Sequence, residues 1–151
     1  MIFGGLDFSL TTPAYAKYDS ISKKLTVGRV DTKLFKKNYR ARNRAIIEEI
    51  KTVLNDVSVL CIEDYAFAAC GRITDIAEVL GVIKYNFQGD IKLVSPGTLK
   101  KALTGNGHAE KKEMIEKILS LGINVRDDNE ADATALLLMA MGKIKGKYRE
   151  W

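Results

Sequence analysis

The sequence predicts an α/β fold in which one five-stranded mixed sheet carries helices on both faces. Three observations point there. The first thirty or so residues alternate in three β-branched stretches, a helix, strand, helix, strand order follows, and the last third reads as helices. An antiparallel meander followed by alternating helices and strands implies parallel strands joined by right-handed crossovers, which collects functional groups at one end of the sheet.

The elements follow in order. IFGGLDFSLTTPAYAKYD reads as a strand, a turn and a second strand, and ISKKLTVGRV as a third. From Tyr39 to about Leu54 the residues Ala45, Ile46, Ile47, Ile50, Val53 and Leu54 recur at helical spacing until Asn55-Asp56 breaks it. Val57 to Asp64, VSVLCIED, is an apolar run ending in acids, the pattern of a buried central strand. A helix from about Arg72 to Tyr85 and a strand IKLV come next. Ser95 and Pro96 then open a short helix, TGNGH forms a loop, a helix runs from Ala109 to Leu121 and stops at Gly122, and a last helix spans about Asn129 to Gly142.

A chain of 151 residues, with 46% hydrophobic and 28% charged, is expected to form one domain over 1–151 with a single core, and is too apolar for wholesale disorder. No apolar run approaches the ~20 residues of a membrane span, and MIFGGLDFSL lacks the basic start of a secretory signal, so a cytoplasmic protein is expected. Cys61 and Cys70, with one histidine in the chain, build neither a thiolate zinc site nor a disulfide framework and are expected to be buried thiols. The net charge of +5 gathers in three clusters: Lys36, Lys37, Arg40, Arg42 and Arg44; Lys100, Lys101, Lys111 and Lys112; Lys143, Lys145, Lys147 and Arg149. Each cluster alone fits a solvated helix face or tail; three together favour a nucleic-acid partner.

Three acids fall where an apolar element delivers a carboxylate to a fixed position. Asp7 sits between Leu6 and Phe8 in the first strand, Glu63 ends VLCIE, and Asp132 lies in the first turn of the apolar final helix. Each alone also fits a strand-end cap or a helix N-terminal charge. Buried together, they require something positive between them; no one lysine or arginine adjoins all three, and a hard oxygen-seeking cation such as Mg²⁺ would serve.

The segments GLDFSLTTPAYA, VLCIEDYAF, SPGTLKKALTGNGHAEKKEMI and DDNEADATALLLMA, in that order, resemble the RuvC-type Holliday-junction resolvases, particularly their compact phage-borne members. The resemblance runs from Gly5 to about Gly142. It implies a ribonuclease H-like fold and a homodimeric endonuclease that nicks two strands of branched DNA, with two Mg²⁺ ions per active site, Mn²⁺ able to substitute, and 5′ phosphate and 3′ hydroxyl ends. Asp7, Glu63 and Asp132 match the family's metal-binding acids. Lys100 matches a lysine of its DNA-contacting short helix, and Lys111 the lysine closing G-x-G-x-A-x-K, here Gly105, Gly107, Ala109 and Lys111. Lys101 and His108 share that basic segment, with His108 expected to contact phosphate or cap a helix.

One position departs from the family. Where a second acid is expected three residues before the last, this chain has Asn129, whose amide offers one neutral oxygen. Asp128 is the expected substitute, since i to i+4 neighbours share a helix face provided that the helix begins one residue early. Asp127 is the poorer choice. The family's base-stacking aromatic has also moved: Ala66 holds its place, and Tyr65 and Phe67 flank it, either available to stack on exposed bases or to fill the core. Finally, Ile73, Ile76, Ala77, Val79, Leu80, Val82 and Ile83 spread over more than the ~100° stripe that one core needs. A dimer contact through Ile76, Leu80 and Ile83 is expected, with burial under the chain's own loops the competing reading.

Overall fold

The computed structural model describes residues 1–35, 37–64 and 73–151. Strands β1 (Ile2–Asp7), β2 (Ala14–Asp19) and β3 (Lys24–Arg29) form the expected antiparallel meander. Helix α1 (Tyr39–Leu54) follows, then β4 (Val59–Glu63), α2 (Ile73–Asn86), β5 (Asp90–Val94), α3 (Pro96–Thr104), α4 (Lys111–Ser120), α5 (Asp128–Ala140) and β6 (Arg149–Glu150). The sheet order is β3-β2-β1-β4-β5-β6, with β1, β4 and β5 parallel.

The sheet therefore has six strands, not five. The sixth, two residues long and polar, has no periodicity that a sequence could display. It pairs antiparallel with β5 and covers what would otherwise be an unpaired edge. The aromatic residues around it help to seat it: Lys92 lies over the Tyr148 ring at 4.5 Å and Lys84 over Trp151 at 5.3 Å.

Strand alternation divides the core. Leu60 and Ile62 of β4 join Leu6, Ile91 and Leu93 on one face, packed by α1 and α2 through Ile46, Ile50, Leu54, Val79, Leu80 and Ile83. Cys61 and Val94 face α3, α4 and α5 on the other, against Leu99, Met114, Ile118 and Leu136. Cys61 is a buried thiol, pushed up to about 12 by that burial; Cys70 lies outside the described residues.

Leu80 and Ile83 correct the expected dimer face. They are 1% and 3% exposed within the chain's own core, and Ile76 packs half-buried beside them, because α1 and the sheet both press on α2. Among the described side chains, the large apolar ones that α2 leaves exposed are Val82 and Tyr85. Among the described residues no helix is long and apolar enough to cross a membrane.

Local signals explain the helices that bear on the site. The Ser95 hydroxyl accepts from the Thr98 N–H with Pro96 in the first turn, and the helix stops at Gly105, whose φ of +86° suits glycine. Glu110 and Glu113 form a reciprocal capping box for α4. Helix α5 is apolar nearly all round and is the most enclosed element, lying across β1, β2 and β4. Its small Ala131, Ala133 and Ala135 are fully buried. Gly5 makes that close approach possible: a Cβ there would stand 2.1 Å from the Ala133 carbonyl oxygen and 2.3 Å from the Leu137 nitrogen.

Candidate active site

Adjacent parallel strands carry the first two acids. The register pairs Gly5 with Cys61 and Leu6 with Ile62, so one step further Asp7 stands beside Glu63 at the C-terminal ends of β1 and β4. Leu6 and Ile62 face α1 and α2; alternation turns Asp7 and Glu63 to the opposite face, where α5 crosses. Because Gly5 lets α5 sit directly on β1, the N-terminal end of that helix brings Asp128 and, one turn on, Asp132 to the same strand ends.

The electrostatics bind these residues into one group. Burial, reinforced by the charges of Glu63, Asp132 and Asp128, raises Asp7 to about 8, with Lys111 acting in the opposite sense. Burial and then the Asp132 charge raise Glu63 to about 7, opposed by Lys100. Burial followed by Asp128 raises Asp132 to about 6, opposed by Lys100 and Lys111. Lys111 also forms an ion pair with Asp128. Four acids and two lysines thus share one field. Lys101 and His108 stand exposed; the His108 backbone N–H donates to Asn106 Oδ1 at 3.0 Å, which secures the loop. Tyr65 and Phe67 lie outside the described residues.

Helix α5 begins at Asp128, the register that an i, i+4 pairing with Asp132 requires. Asp127 is already employed as the cap of that helix: its Oδ1 accepts from the Glu130 N–H at 3.0 Å, and its Oδ2 pairs with Arg29. Asn129 is half-buried in the same turn.

The donor set suits a divalent cation. Asp132 Oδ1 is buried and has no hydrogen-bond partner, the one such side-chain atom among the described residues. Carboxylates whose affinity for protons is raised by burial and by one another, with an orphaned oxygen among them, are hard ligands for a hard ion. Among the described residues no three acids are already drawn together tightly enough to enclose an ion; the Lys111 ammonium lies against Asp128.

Three interactions near the site carry no signal that the sequence reading used. Arg126 pairs with the buried Glu130, its backbone N–H donating to Oε2 at 2.8 Å and its Nε to Oε1 at 2.6 Å. The i, i+4 spacing of that pair is visible in the sequence. Arg29 to Asp127 spans 98 positions and leaves no local trace. Arg149 reaches back from β6 to Asp64, next to Glu63, at 3.0 Å.

A mixed sheet in this strand order, with acids at neighbouring parallel strand ends and on the helix that crosses them, defines a ribonuclease H-like α/β protein built around a carboxylate centre. The model of the family "Crossover junction endodeoxyribonuclease RuvC" matches residues 5–140, and the chain belongs to that family. A RuvC of Rickettsia rickettsii is 37% identical over 97 residues, 62% of this chain and 55% of that protein, so the match spans about half the length of this curated relative. Among solved structures, Thermus thermophilus RuvC superposes with a TM-score of 0.72 at 20% identity, covering 97% of this chain and all of that one. The fowlpox virus Holliday junction resolvase superposes with a TM-score of 0.56 at 20% identity, covering 95% of this chain and 99% of that one. At these identities both establish the shared fold.

Proposed function

We propose that this chain is a divalent-cation-dependent DNA endonuclease that resolves four-way junctions by paired nicks, acting in the cytoplasm as a homodimer. The observation that carries the reading is the orphaned Asp132 oxygen beside the mutually repelling Asp7 and Glu63, in a member of the RuvC family. Two copies related by a two-fold axis would present two centres to symmetric strands of a junction. The exposed Val82 and Tyr85 are the apolar surface that α2 offers to such a contact.

Asp7, Glu63, Asp128 and Asp132 would hold Mg²⁺, two ions per centre, with Mn²⁺ as a substitute. When bound, Mg²⁺ supplies charge to the phosphate and makes a hydroxide nucleophile accessible near neutral pH. The protein's own part is positional. Strand ends hold Asp7 and Glu63 at the spacing of neighbouring strands, roughly 5 Å, and α5 holds Asp132 against them. Lys100 and Lys111 offset the negative field that would otherwise repel a scissile phosphate. Asp128, paired to Lys111, links that cation to the acids.

The test is cleavage of matched four-way junction, fork, duplex and RNA–DNA hybrid substrates in Mg²⁺, with wild type and Asp7→Asn. The junction should be cut by paired nicks leaving 5′ phosphates. Asp7→Asn should lose cleavage while binding the junction within a few fold, because affinity resides in phosphate contacts. Preferential hybrid or fork cleavage would change the substrate, and junction binding without cleavage in any divalent cation would leave a binding module.

A further inference from the structure

A cleft of about 690 Å³ lies between the β1–β2 turn, the end of β3 and the first turns of α1. Thr11, Thr12, Arg29, Lys33, Arg42 and Arg126 line it. The single acid on its wall, Asp31, is engaged locally, its Oδ1 accepting from the Lys33 N–H at 2.9 Å. The cleft is thus walled by four cations and four hydroxyl-bearing side chains, Thr11, Thr12, Thr32 and Tyr39.

Arg42 is the unusual member. It is 5% exposed, yet its hydrogen-bond acceptor is neutral: Nε and Nη2 donate to Asn43 Oδ1 at 3.3 and 3.1 Å. Its guanidinium lies 4.9 Å from the centre of the Tyr39 ring. Among the described residues it forms no ion pair. Burying a guanidinium without an anion is costly, and a planar fork that faces a cleft is shaped for two oxygens of one phosphate. Arg29 and Arg126 differ, since Asp127 and Glu130 hold them in place. A guanidinium has five N–H donors, so each still has hydrogen bonds to give.

We infer that this cleft binds a backbone phosphate of the DNA strand, outside the carboxylate centre, with Arg42 as its anchor and Lys33, Thr11 and Thr12 closing around it. The inference rests on the reading of the chain as a DNA-acting protein and adds a second point of attachment. Two connections favour a polymer over a free ion. Thr11 and Thr12 lie in the turn that continues from Asp7, so the cleft is beside the acids along the chain. The Arg29–Asp127 pair joins the cleft to the turn of α5 that carries Asp128 and Asp132. A strand whose phosphate sits in the cleft would be held in register over the acids, which is what positioning contacts do.

The experiment measures binding of a fluorescein-labelled four-way junction and a matched duplex in EDTA, across a range of salt. It compares wild type with Arg42→Gln, Lys33→Ala and Thr12→Glu, folding being checked by thermal melting. Arg42→Gln should weaken binding about tenfold, as expected for a lost charge-assisted hydrogen bond. Arg42→Gln and Lys33→Ala should each make the log–log salt slope shallower by about one. Thr12→Glu, which places a negative charge on the cleft wall, should weaken binding to both substrates. If Arg42→Gln fails to fold, Lys33→Ala and Thr12→Glu decide the matter. Wild-type affinity and slope in the folded variants would overturn the proposal. So would saturable binding of inorganic phosphate that the cleft variants abolish while junction binding stays unchanged, which would assign the cleft to a small phosphate. The readout is independent of cleavage: a protein that cuts no junction in Mg²⁺ but shows these losses keeps the cleft and loses the enzyme.

Discussion

The start of α5 carries two kinds of acid within six residues. Asp127 and Glu130 are answered by arginines, Arg29 and Arg126, and their oxygens also cap the helix and secure the preceding turn. Asp128 and Asp132 face Asp7 and Glu63, where burial and mutual repulsion dominate and one oxygen of Asp132 has no partner at all. A helix turns about 100° per residue, so neighbours in sequence fall on different faces. One face holds the helix together; the other meets the buried acids of the strands, with Lys111 against Asp128 and one oxygen of Asp132 left without a partner. Buried charge left unsatisfied is the mark of a site whose missing component comes from outside.

The contrast is broken most sharply by substituting one acid of each kind. Asp132→Asn should reduce Mg²⁺-dependent cleavage by more than ~100-fold, beyond the usual effect of outer-shell partners, with no loss in melting temperature. Glu130→Ala should cost ~2–4 kcal/mol of stability in denaturant unfolding, because Arg126 loses its partner and the buried turn its acceptor. An Asp132→Asn protein that melts well below wild type would put both acids in the same class.

Asn129 sharpens the same comparison. Asp128→Ala should impair cleavage nearly as much as Asp132→Ala, whereas Asn129→Ala should be mild, since a neutral amide is a weak ligand for a hard cation. Asn129→Asp should partly restore an Asp128→Ala protein, because i and i+3 also share a helix face. A fully active Asp128→Ala with a dead Asn129→Ala would return the role to the amide.

Sequence reasoning reaches the proposed metal-binding face of α5 more easily than the structural one. Asp7, Glu63 and Asp132 each adjoin apolar residues of a strand or helix, which singles them out as candidates, and α1 is observed at the limits its spacing implies. Partners distant in sequence leave no such mark. Nothing local in Arg29 announces Asp127, and Arg42 reads as one of five clustered cations although the fold buries it. Leu80 and Ile83 show the converse limit. An apolar surface wider than one stripe says that two things pack on a helix, and for Leu80 and Ile83 these are the sheet and α1. The strand β6 escapes because two polar residues have no period.

The raised acids also set a pH dependence. Asp7, Glu63 and Asp132 bind protons more tightly folded than unfolded, where their ordinary values are 3.8, 4.5 and 3.8. Their contribution to stability is therefore fully present in acid below those values and is lost as pH rises through about 6, 7 and 8. In metal-free buffer, Asp7→Asn should melt at a higher temperature than wild type at pH 8, by a margin that shrinks towards pH 4. A margin independent of pH would contradict the assigned repulsion. The smallest effect is expected at the rim of the site. Alanine at both Lys100 and Lys111 should make the salt slope of junction binding shallower by about two, and an unchanged slope would return both to a solvated face.

The most direct measurement is a calorimetric titration of the metal-free protein with Mn²⁺ at pH 7, run in two buffers of different ionisation enthalpy. A cation entering acids that hold protons must displace them. Wild type should bind Mn²⁺ with release of protons held first by Asp7 and then by Glu63, whose values are raised to about 8 and about 7. Asp7→Asn and Asp132→Asn should lose most of the affinity, and Asp7→Asn the larger part of the proton release as well. Binding that is equally tight in all three proteins, or that releases no proton from wild type, would mean that the ion sits elsewhere and that these acids are not its site.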